Sequence, residues 1–345
     1  MALDRLWRVP DAVPDAASVP KAAPEEGVVI LRAAPAVDDP GAPLVVEQPR
    51  TTTDNRRVRL LSDDGVGGSL DFLFRSGARD SALIQGEAKD ALAAMPDGVF
   101  QTTVTSPPYW SLRDYGIPGQ IGLEASVKDY IASLVAIFDE VKRVTRPDGT
   151  LWLNIGDSYT SGGRTWRAPD RKNPVRAMQF RPPTPDGLKP KDLIGVPWRL
   201  AFALQEAGWY LRADVIWNKP NCQPESVKDR PTRSHEYMFL FSKGERYTYD
   251  PTAVRGPNGR NLRTVWDVNT RAYKGAHFAT FPRSLIEPCI ALTSRPDDLV
   301  LDPFIGSGTT GVVALGVQRR FVGIELQPDY VAIAERRLNG AVEKA

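Results

Sequence analysis

Residues 298–315, DLVLDPFIGSGTTGVVAL, restrict the fold of this chain more than any other stretch. An apolar, strand-length run ends in Asp302, glycines follow at 306, 308 and 311, and an Ala/Val-rich helical run begins at once. This is G-x-G-x-x-G in the context that gives it meaning, between a strand and a helix. Glycine lets the backbone approach a ligand closely, and a helix start offers unpaired N–H groups to an anionic group. The next strand-like run, RFVGIEL (320–326), carries Glu325 near its end, where a carboxylate can accept hydrogen bonds from both hydroxyls of a ribose. A parallel α/β sheet and an adenosine-containing cofactor follow. A dinucleotide would place its pyrophosphate on this loop and S-adenosylmethionine its methionine part, and the loop alone leaves both open.

The rest of the chain fits that architecture. Short β-branched or aromatic runs at 82–88, 101–106, 150–156, 211–217, 237–242, 298–302 and 320–326 make seven candidate strands. Between them Val127, Ile131, Leu134, Phe138 and Val141 recur at helical spacing, and a second helical pattern starts near Asp192 with Pro197 in its first turn. Strands alternating with helices predict a doubly wound, mainly parallel sheet covered on both faces. Residues 1–55 are rich in Pro and Ala without a helical or strand period and read as a flexible arm, 56–79 as a lead-in, and 80–345 as the folded domain. Segments 157–191 and 244–276 match neither pattern and read as long inserted loops, a class that usually carries function. With 345 residues the chain is long enough for a full core.

Composition removes several classes. Cys222 and Cys289 cannot form a disulfide framework, and with only His235 and His277 beside them no zinc site is expected. No apolar run is long enough to span a membrane, and the N-terminus lacks the basic head and apolar stretch of a secretory signal, so a cytoplasmic location is expected. The net charge of +2 says little, but its distribution says more. Arg164, Arg167, Arg171, Lys172, Arg176, Arg181, Lys189 and Lys191 crowd one segment against Asp170 and Asp186, with Trp166 and Phe180 interleaved. Such a segment is a candidate for phosphate contacts.

The second chemistry-bearing motif is QTTVTSPPYW, a strand running into Ser106, Pro107, Pro108, Tyr109 and Trp110. Two prolines stiffen the turn and remove two N–H donors, leaving carbonyls to accept from a ligand. The Ser106 oxygen and the Pro107 carbonyl match the two hydrogens of an exocyclic amino group, and Tyr109 offers a face to the ring that bears it. Held so, the amino nitrogen becomes more nucleophilic toward a methyl sulfonium, and no cysteine nucleophile is required.

With both motifs in view, the chain from about residue 80 onward resembles the β-type amino-group DNA methyltransferases, in which the tetrad precedes the cofactor loop, and within them the cytosine-N4 branch. SPPYW resembles that branch's tetrad, whereas DPPY would suggest adenine; DPFIGSGTT and VGIELQPDY resemble the family's cofactor motifs. The resemblance implies a Rossmann-like, seven-stranded methyltransferase sheet with circularly permuted motif order. It implies S-adenosyl-L-methionine as cofactor, double-stranded DNA as substrate, base flipping, and a cognate restriction endonuclease as partner. It assigns Ser106, Pro107, Pro108 and Tyr109 to catalysis and Asp302, Phe304, Gly306, Ser307, Gly308, Thr309 and Glu325 to the cofactor. Glu87, in LIQGEAKDAL, would lie near the adenine; His277 and Phe281, in HFATFP, would close over the methionine part. Trp217, Lys219 and Glu225 would neighbour the flipped base. DNA contacts would come from Arg164, Arg167, Arg171, Lys172 and Arg176, and from Arg260 and Arg263 in the second long segment. Rival readings are adenine-N6 methylation on the same fold, methylation of a protein glutamine or RNA base, a nicotinamide dehydrogenase that leaves SPPYW unexplained, and a DNA-binding protein with an inactive methyltransferase fold.

Overall fold

A computed structural model of the chain describes residues 28–32, 73–74, 81–160, 183–270 and 281–342. The described strands are β1 (Val28–Arg32), β2 (Ser81–Gln85), β3 (Phe100–Thr105), β4 (Thr145–Ile155), β5 (Tyr210–Asn218), β6 (His235–Ser242), β7 (Val265–Asp267), β8 (Leu299–Asp302) and β9 (Arg320–Glu325). They form a single sheet in the order β1-β2-β9-β8-β3-β4-β6-β5-β7. The helices are α1 (Ala88–Ala93), α2 (Val127–Val144), α3 (Val196–Glu206), α4 (Arg283–Thr293), α5 (Thr309–Gly316) and α6 (Pro328–Val342).

From β1 to β4 every neighbouring pair is parallel; β6 runs antiparallel to both β4 and β5, and β7 is parallel to β5. Strand alternation sends successive side chains to opposite faces. Leu151, Leu153, Phe239 and Phe241 pack with α1, α2 and α3, while Trp152, Met238, Leu240 and Val300 pack with α4, α5 and α6. The doubly wound arrangement is thus two cores separated by one sheet.

All seven expected strands are present, and two more join them. Val28–Arg32 pairs in parallel with β2 inside the segment expected to hold no element. Four apolar residues and an arginine in a Pro/Ala-rich background show no period, and they become a strand by completing the open edge of β2. Val265–Asp267 likewise gives structure to a segment expected to be loop, pairing with β5 through Ile216, Trp217 and Asn218. Three residues are too few to read as a strand; Trp266, 3% exposed among partly polar neighbours, is what anchors it. The second expected helix begins at Val196 rather than near Asp192.

α2 begins at Ser126, whose hydroxyl accepts the Asp129 N–H, and buries Val127, Leu134, Phe138 and Val141 as its spacing predicts. Gly195 precedes α3 and offers no capping side chain; Asp157, just beyond β4, supplies it instead by accepting the N–H groups of Gly195 and Val196 at 2.9 and 3.0 Å. The carboxyl ends of β9, β8, β3 and β4 share one edge of the sheet. Chain connections leave β8 toward β9 on one side and β3 toward β4 on the other, which makes the β8/β3 boundary the topological switch point where open α/β sheets bind ligands.

Candidate active site

On one side of that boundary lies the glycine loop. Gly306 and Gly308 take φ of 54° and 85°, conformations that side chains rarely adopt. A Cβ on Gly308 would come within 3.1 Å of the Ala334 backbone, so this glycine seats α6, whereas nothing stands within 4 Å of a Cβ on Gly306. The backbone at Gly306 is therefore open to a ligand. Gly311 serves packing: a Cβ there would lie 2.7 Å from Phe321 and Leu338. From α6, Arg337 donates to the Ser307 carbonyl at 2.6 Å and to the Thr309 hydroxyl at 3.2 Å, holding the loop from behind.

Glu325 ends β9 beside this loop. Its Oε2 accepts the Gly306 N–H and its Oε1 the Gln327 N–H, both at 2.9 Å, which leaves lone pairs on each oxygen for further donors. Burial pushes its carboxyl up to about 7, opposed by those two N–H groups and reinforced by nearby Asp302. Asp302 is itself buried and fully engaged. Its Oδ1 accepts from Thr105 at 2.6 Å and from the Phe304 N–H at 3.1 Å, and its Oδ2 from Thr310 at 2.6 Å. Burial raises its carboxyl to about 6.

Across the boundary, β3 delivers the Ser106–Trp110 loop. Tyr130 of α2 donates to the Pro108 carbonyl at 2.8 Å, and the buried Trp110 indole donates to the Glu124 carbonyl at 3.0 Å. Among the described residues no donor meets the Pro107 carbonyl. The Tyr109 hydroxyl donates to Glu236 Oε2 at 2.8 Å, and burial, with the Glu236 charge, pushes its pKa well up, so the phenol stays protonated. Asn154 of β4 donates to the same Glu236 oxygen at 3.3 Å and to the Tyr237 carbonyl at 3.0 Å. Lys219 pairs with the other Glu236 oxygen and lies over the Trp217 ring.

The expected site residues thus fall into groups. Ser106, Pro107, Pro108 and Tyr109 gather beside Phe304, Gly306 and Glu325 at neighbouring strand ends. Ser307 and Thr309 are 2% and 4% exposed and face the interior, and Asp302 directs both oxygens into the fold, so these three shape the loop. Glu87 is exposed at the start of α1, with Oε2 3.8 Å from the Cβ position of Gly119. Phe281 is partly buried against the second core, just before α4. Trp217 is a core residue whose indole donates to the Val268 carbonyl at 2.7 Å, and Glu225 is held by Arg230 at 2.6 Å in its own loop. Arg260 and Arg263 are exposed ahead of β7. His277, Arg164, Arg167, Arg171, Lys172 and Arg176 lie outside the described residues. Glu236, Asn154, Tyr130 and Arg337 were not expected. Two of them had a visible signal: Glu236 directly precedes the apolar run 237–241, and Asn154 interrupts the apolar run 151–155.

Comparison with known proteins decides what this edge belongs to. The DNA methylase family N6_N4_Mtase matches residues 100–336, spanning both loops. The chain belongs to this family. It is 62% identical over 264 residues to the type II methyltransferase M.Cfr9I of Citrobacter freundii, covering 75% of this chain and 88% of that one. With M.SmaI of Serratia marcescens it shares 59% over 271 residues, covering 77% and 93%. Among solved structures, the PvuII DNA methyltransferase, named as cytosine-N4-specific, shares the fold at TM-score 0.57 and 22% identity, over 76% of this chain and 92% of that one. The Thermus thermophilus protein TTHA0409, complexed with S-adenosyl-L-methionine, aligns at TM-score 0.51 and 25% identity over 76% and 96%.

The chain is accordingly a type II DNA methyltransferase of the N6/N4 amino-methyltransferase family, and the TTHA0409 neighbour holds S-adenosyl-L-methionine. The local geometry suits that cofactor, with an open backbone at Gly306 and an acceptor at Glu325 whose lone pairs are incompletely used. Among the described residues, no helix is long and apolar enough to cross a membrane, and no group of three or more His, Cys, Asp or Glu is placed to hold a metal ion.

Proposed function

We propose that this methyltransferase acts on the N4 amino group of a cytosine flipped out of duplex DNA. The observation that carries this reading is the seating of the Ser106–Trp110 loop beside the Gly306 loop, tied by the Thr105–Asp302–Thr310 bridge. When bound, S-adenosyl-L-methionine supplies an electrophilic methyl group on a sulfonium. Glu325 receives the ribose hydroxyls, and the Gly306 backbone with the start of α5 receives the methionine part; Glu87, Phe304, His277 and Phe281 complete the cofactor's surroundings. Ser106 Oγ and the Pro107 carbonyl accept the two hydrogens of the amino group and turn its lone pair toward the methyl carbon. Tyr109 offers its ring to the base. After transfer, the displaced N–H proton leaves through the partly exposed Ser106 hydroxyl to solvent.

Serine at the head of the tetrad supports cytosine over adenine. Unstacking the base costs a few kcal/mol, which phosphate contacts must offset. Arg164, Arg167, Arg171, Lys172, Arg176, Arg260 and Arg263 are the proposed sources. A cognate restriction endonuclease is the implied partner and the cytoplasm the implied location. Incubation with unmethylated duplex DNA and methyl-labelled cofactor, followed by digestion to nucleosides, tests the assignment. N4-methylcytosine is expected. N6-methyladenine would move the chain to the adenine branch. Label on cytosine carbon 5 would remove the mechanism, because that chemistry needs a cysteine nucleophile and Cys289 is buried in α4 while Cys222 sits in the β5–β6 loop.

A further inference from the structure

Within the tetrad loop the Tyr109 phenol bonds with the Ser106 side chain, and the same far end of the ring is held as well from two other strands. Glu236, paired across the sheet with Trp217, directs Oε2 at the phenol oxygen (2.8 Å) and receives Asn154 of β4 on the same atom. Lys219 balances the charge at Oε1, and it is held in turn 4.1 Å from the centroid of the Trp217 ring. The side chains of Lys219 and Glu236 are 17% and 19% exposed, so the pair is largely withdrawn from water. Gly156 makes the approach possible, because a Cβ there would sit 2.7 Å from Tyr109 Cε2 and 3.3 Å from Glu236 Cδ. A mostly buried ion pair is a poor source of stability compared with apolar residues of the same volume, which directs attention to what it orients.

We propose that Glu236 is a positioning residue for methyl transfer: it locks the Tyr109 ring, through the phenol oxygen, in the plane that receives the flipped base, with Lys219 holding the carboxylate in place. The inference rests on Tyr109 being the stacking face for the base. The phenol's strong preference for its protonated form fits, since only the protonated oxygen can donate to the carboxylate. A ring held at its Cβ alone keeps its freedom about two torsions. A hydrogen bond at the opposite end removes that freedom before the base arrives, so the gain appears in the rate of transfer and not in the affinity for cofactor.

The test is a double-mutant cycle on the full-length protein with saturating unmethylated duplex DNA and labelled S-adenosyl-L-methionine, read as single-turnover transfer rate and, separately, cofactor Kd. Tyr109→Phe deletes one oxygen and keeps the ring. It and Glu236→Ala should each slow transfer by about tenfold to a hundredfold, the worth of a hydrogen bond to a charged group. The double variant should be no slower than the slower single one, with cofactor Kd unchanged throughout. Glu236→Gln, which retains an acceptor oxygen, should recover most of the rate and also serves if the alanine variant does not fold. Wild-type rate in Tyr109→Phe, or multiplicative losses in the double variant, would overturn the inference. Tyr109→Ala separates the two levels. If it is inactive while Tyr109→Phe is fully active, only the role of Glu236 fails; if it transfers at the wild-type rate, the stacking role of Tyr109 fails with it.

Discussion

Binding of S-adenosyl-L-methionine should depend on pH through Glu325, in a direction set by its burial. The carboxyl stands at about 7 in the cofactor-free protein. Ribose hydroxyls donate best to the ionised form, so binding selects the carboxylate and the site must lose its proton first. Affinity is therefore complete above about 7 and is lost as pH falls through that value. At pH 6 roughly one site in eleven is ready to bind, so Kd should rise about tenfold between pH 8 and pH 6, or ~1.4 kcal/mol. Isothermal titration from pH 5.5 to 7.5 stays below most of the titration of the cofactor's own amino group, which falls near pH 7.7–8.0. Glu325→Gln preserves shape but cannot titrate; it should bind more weakly at pH 7.5 and show a flat profile. Folding responds to the same group with its own sign. The folded-state pKa lies above the ordinary value of 4.5, so the cofactor-free fold holds the proton more tightly than the unfolded chain does. Stability from this group is complete below about 4.5 and is lost as pH rises through 7, by about 3 kcal/mol. Asp302, raised from 3.8 to about 6, acts in the same direction over a lower window. The rise in Tm caused by cofactor should thus grow from pH 5.5 to 7.5. A wild-type Kd independent of pH, or an equal slope in Glu325→Gln, would refute the reasoning.

Three further outcomes are expected. Ser106→Ala should lower transfer rate at saturating cofactor and DNA while leaving cofactor Kd unchanged, as measured by single-turnover kinetics and titration, because the hydroxyl serves the acceptor and not the donor. Neutralising Arg167, Arg171 and Arg176 together should weaken DNA binding and reduce the log-log salt slope by about 0.9 per lost phosphate contact, read by fluorescence anisotropy across salt concentrations; an unchanged slope returns that segment to ordinary solvated surface. Gly323→Ala drives a Cβ into the Phe321 ring and to 2.5 Å from Ile305 Cδ1 and should cost about 1–3 kcal/mol in thermal or denaturant unfolding, whereas Gly340→Ala, in α6 with nothing within 4 Å, should be neutral or slightly stabilising.

Which parts were legible in the sequence follows from how local their causes are. The β8–α5 loop and the Ser106–Trp110 loop are specified by glycine and proline conformational limits acting over a few residues, and both appear where spacing placed them. The seven expected strands and the Val127–Val144 helix are specified by the composition and periodicity of several successive residues. β1 and β7 are not, because each becomes a strand only by adding to an edge supplied from elsewhere in the chain. The site divides in the same way. Tyr109 is visible from its tetrad, but its partner Glu236 is 127 residues away, and only the antiparallel insertion of β6 beside β4 brings the two together. Asp302 shows the converse limit. Its place in the motif is legible, whereas the burial that commits its oxygens to Thr105, Thr310 and the Phe304 N–H is a property of the folded sheet.

That burial also explains how the two halves of the reaction are held in register. The proposed donor loop follows β8 and the proposed acceptor loop follows β3, and these strands meet at only two register positions, Thr102 with Val300 and Thr103 with Leu301. Past the last paired residues the strands have no ladder between them, at the very place where the two loops must be aligned to within a fraction of an ångström for attack. The Thr105 hydroxyl and the Asp302 carboxylate replace the missing ladder, and Thr310 extends the bridge to the first turn of α5. Thr105→Val would keep the volume and remove the donor, leaving Asp302 buried with one partner fewer. The loss should fall on the rate of transfer, since the contacts proposed for Gly306 and Glu325 with cofactor do not pass through Thr105. A Thr105→Val protein that binds cofactor normally but transfers slowly would locate the alignment in this bridge; one that loses cofactor affinity in equal measure would show that the bridge supports the donor loop alone.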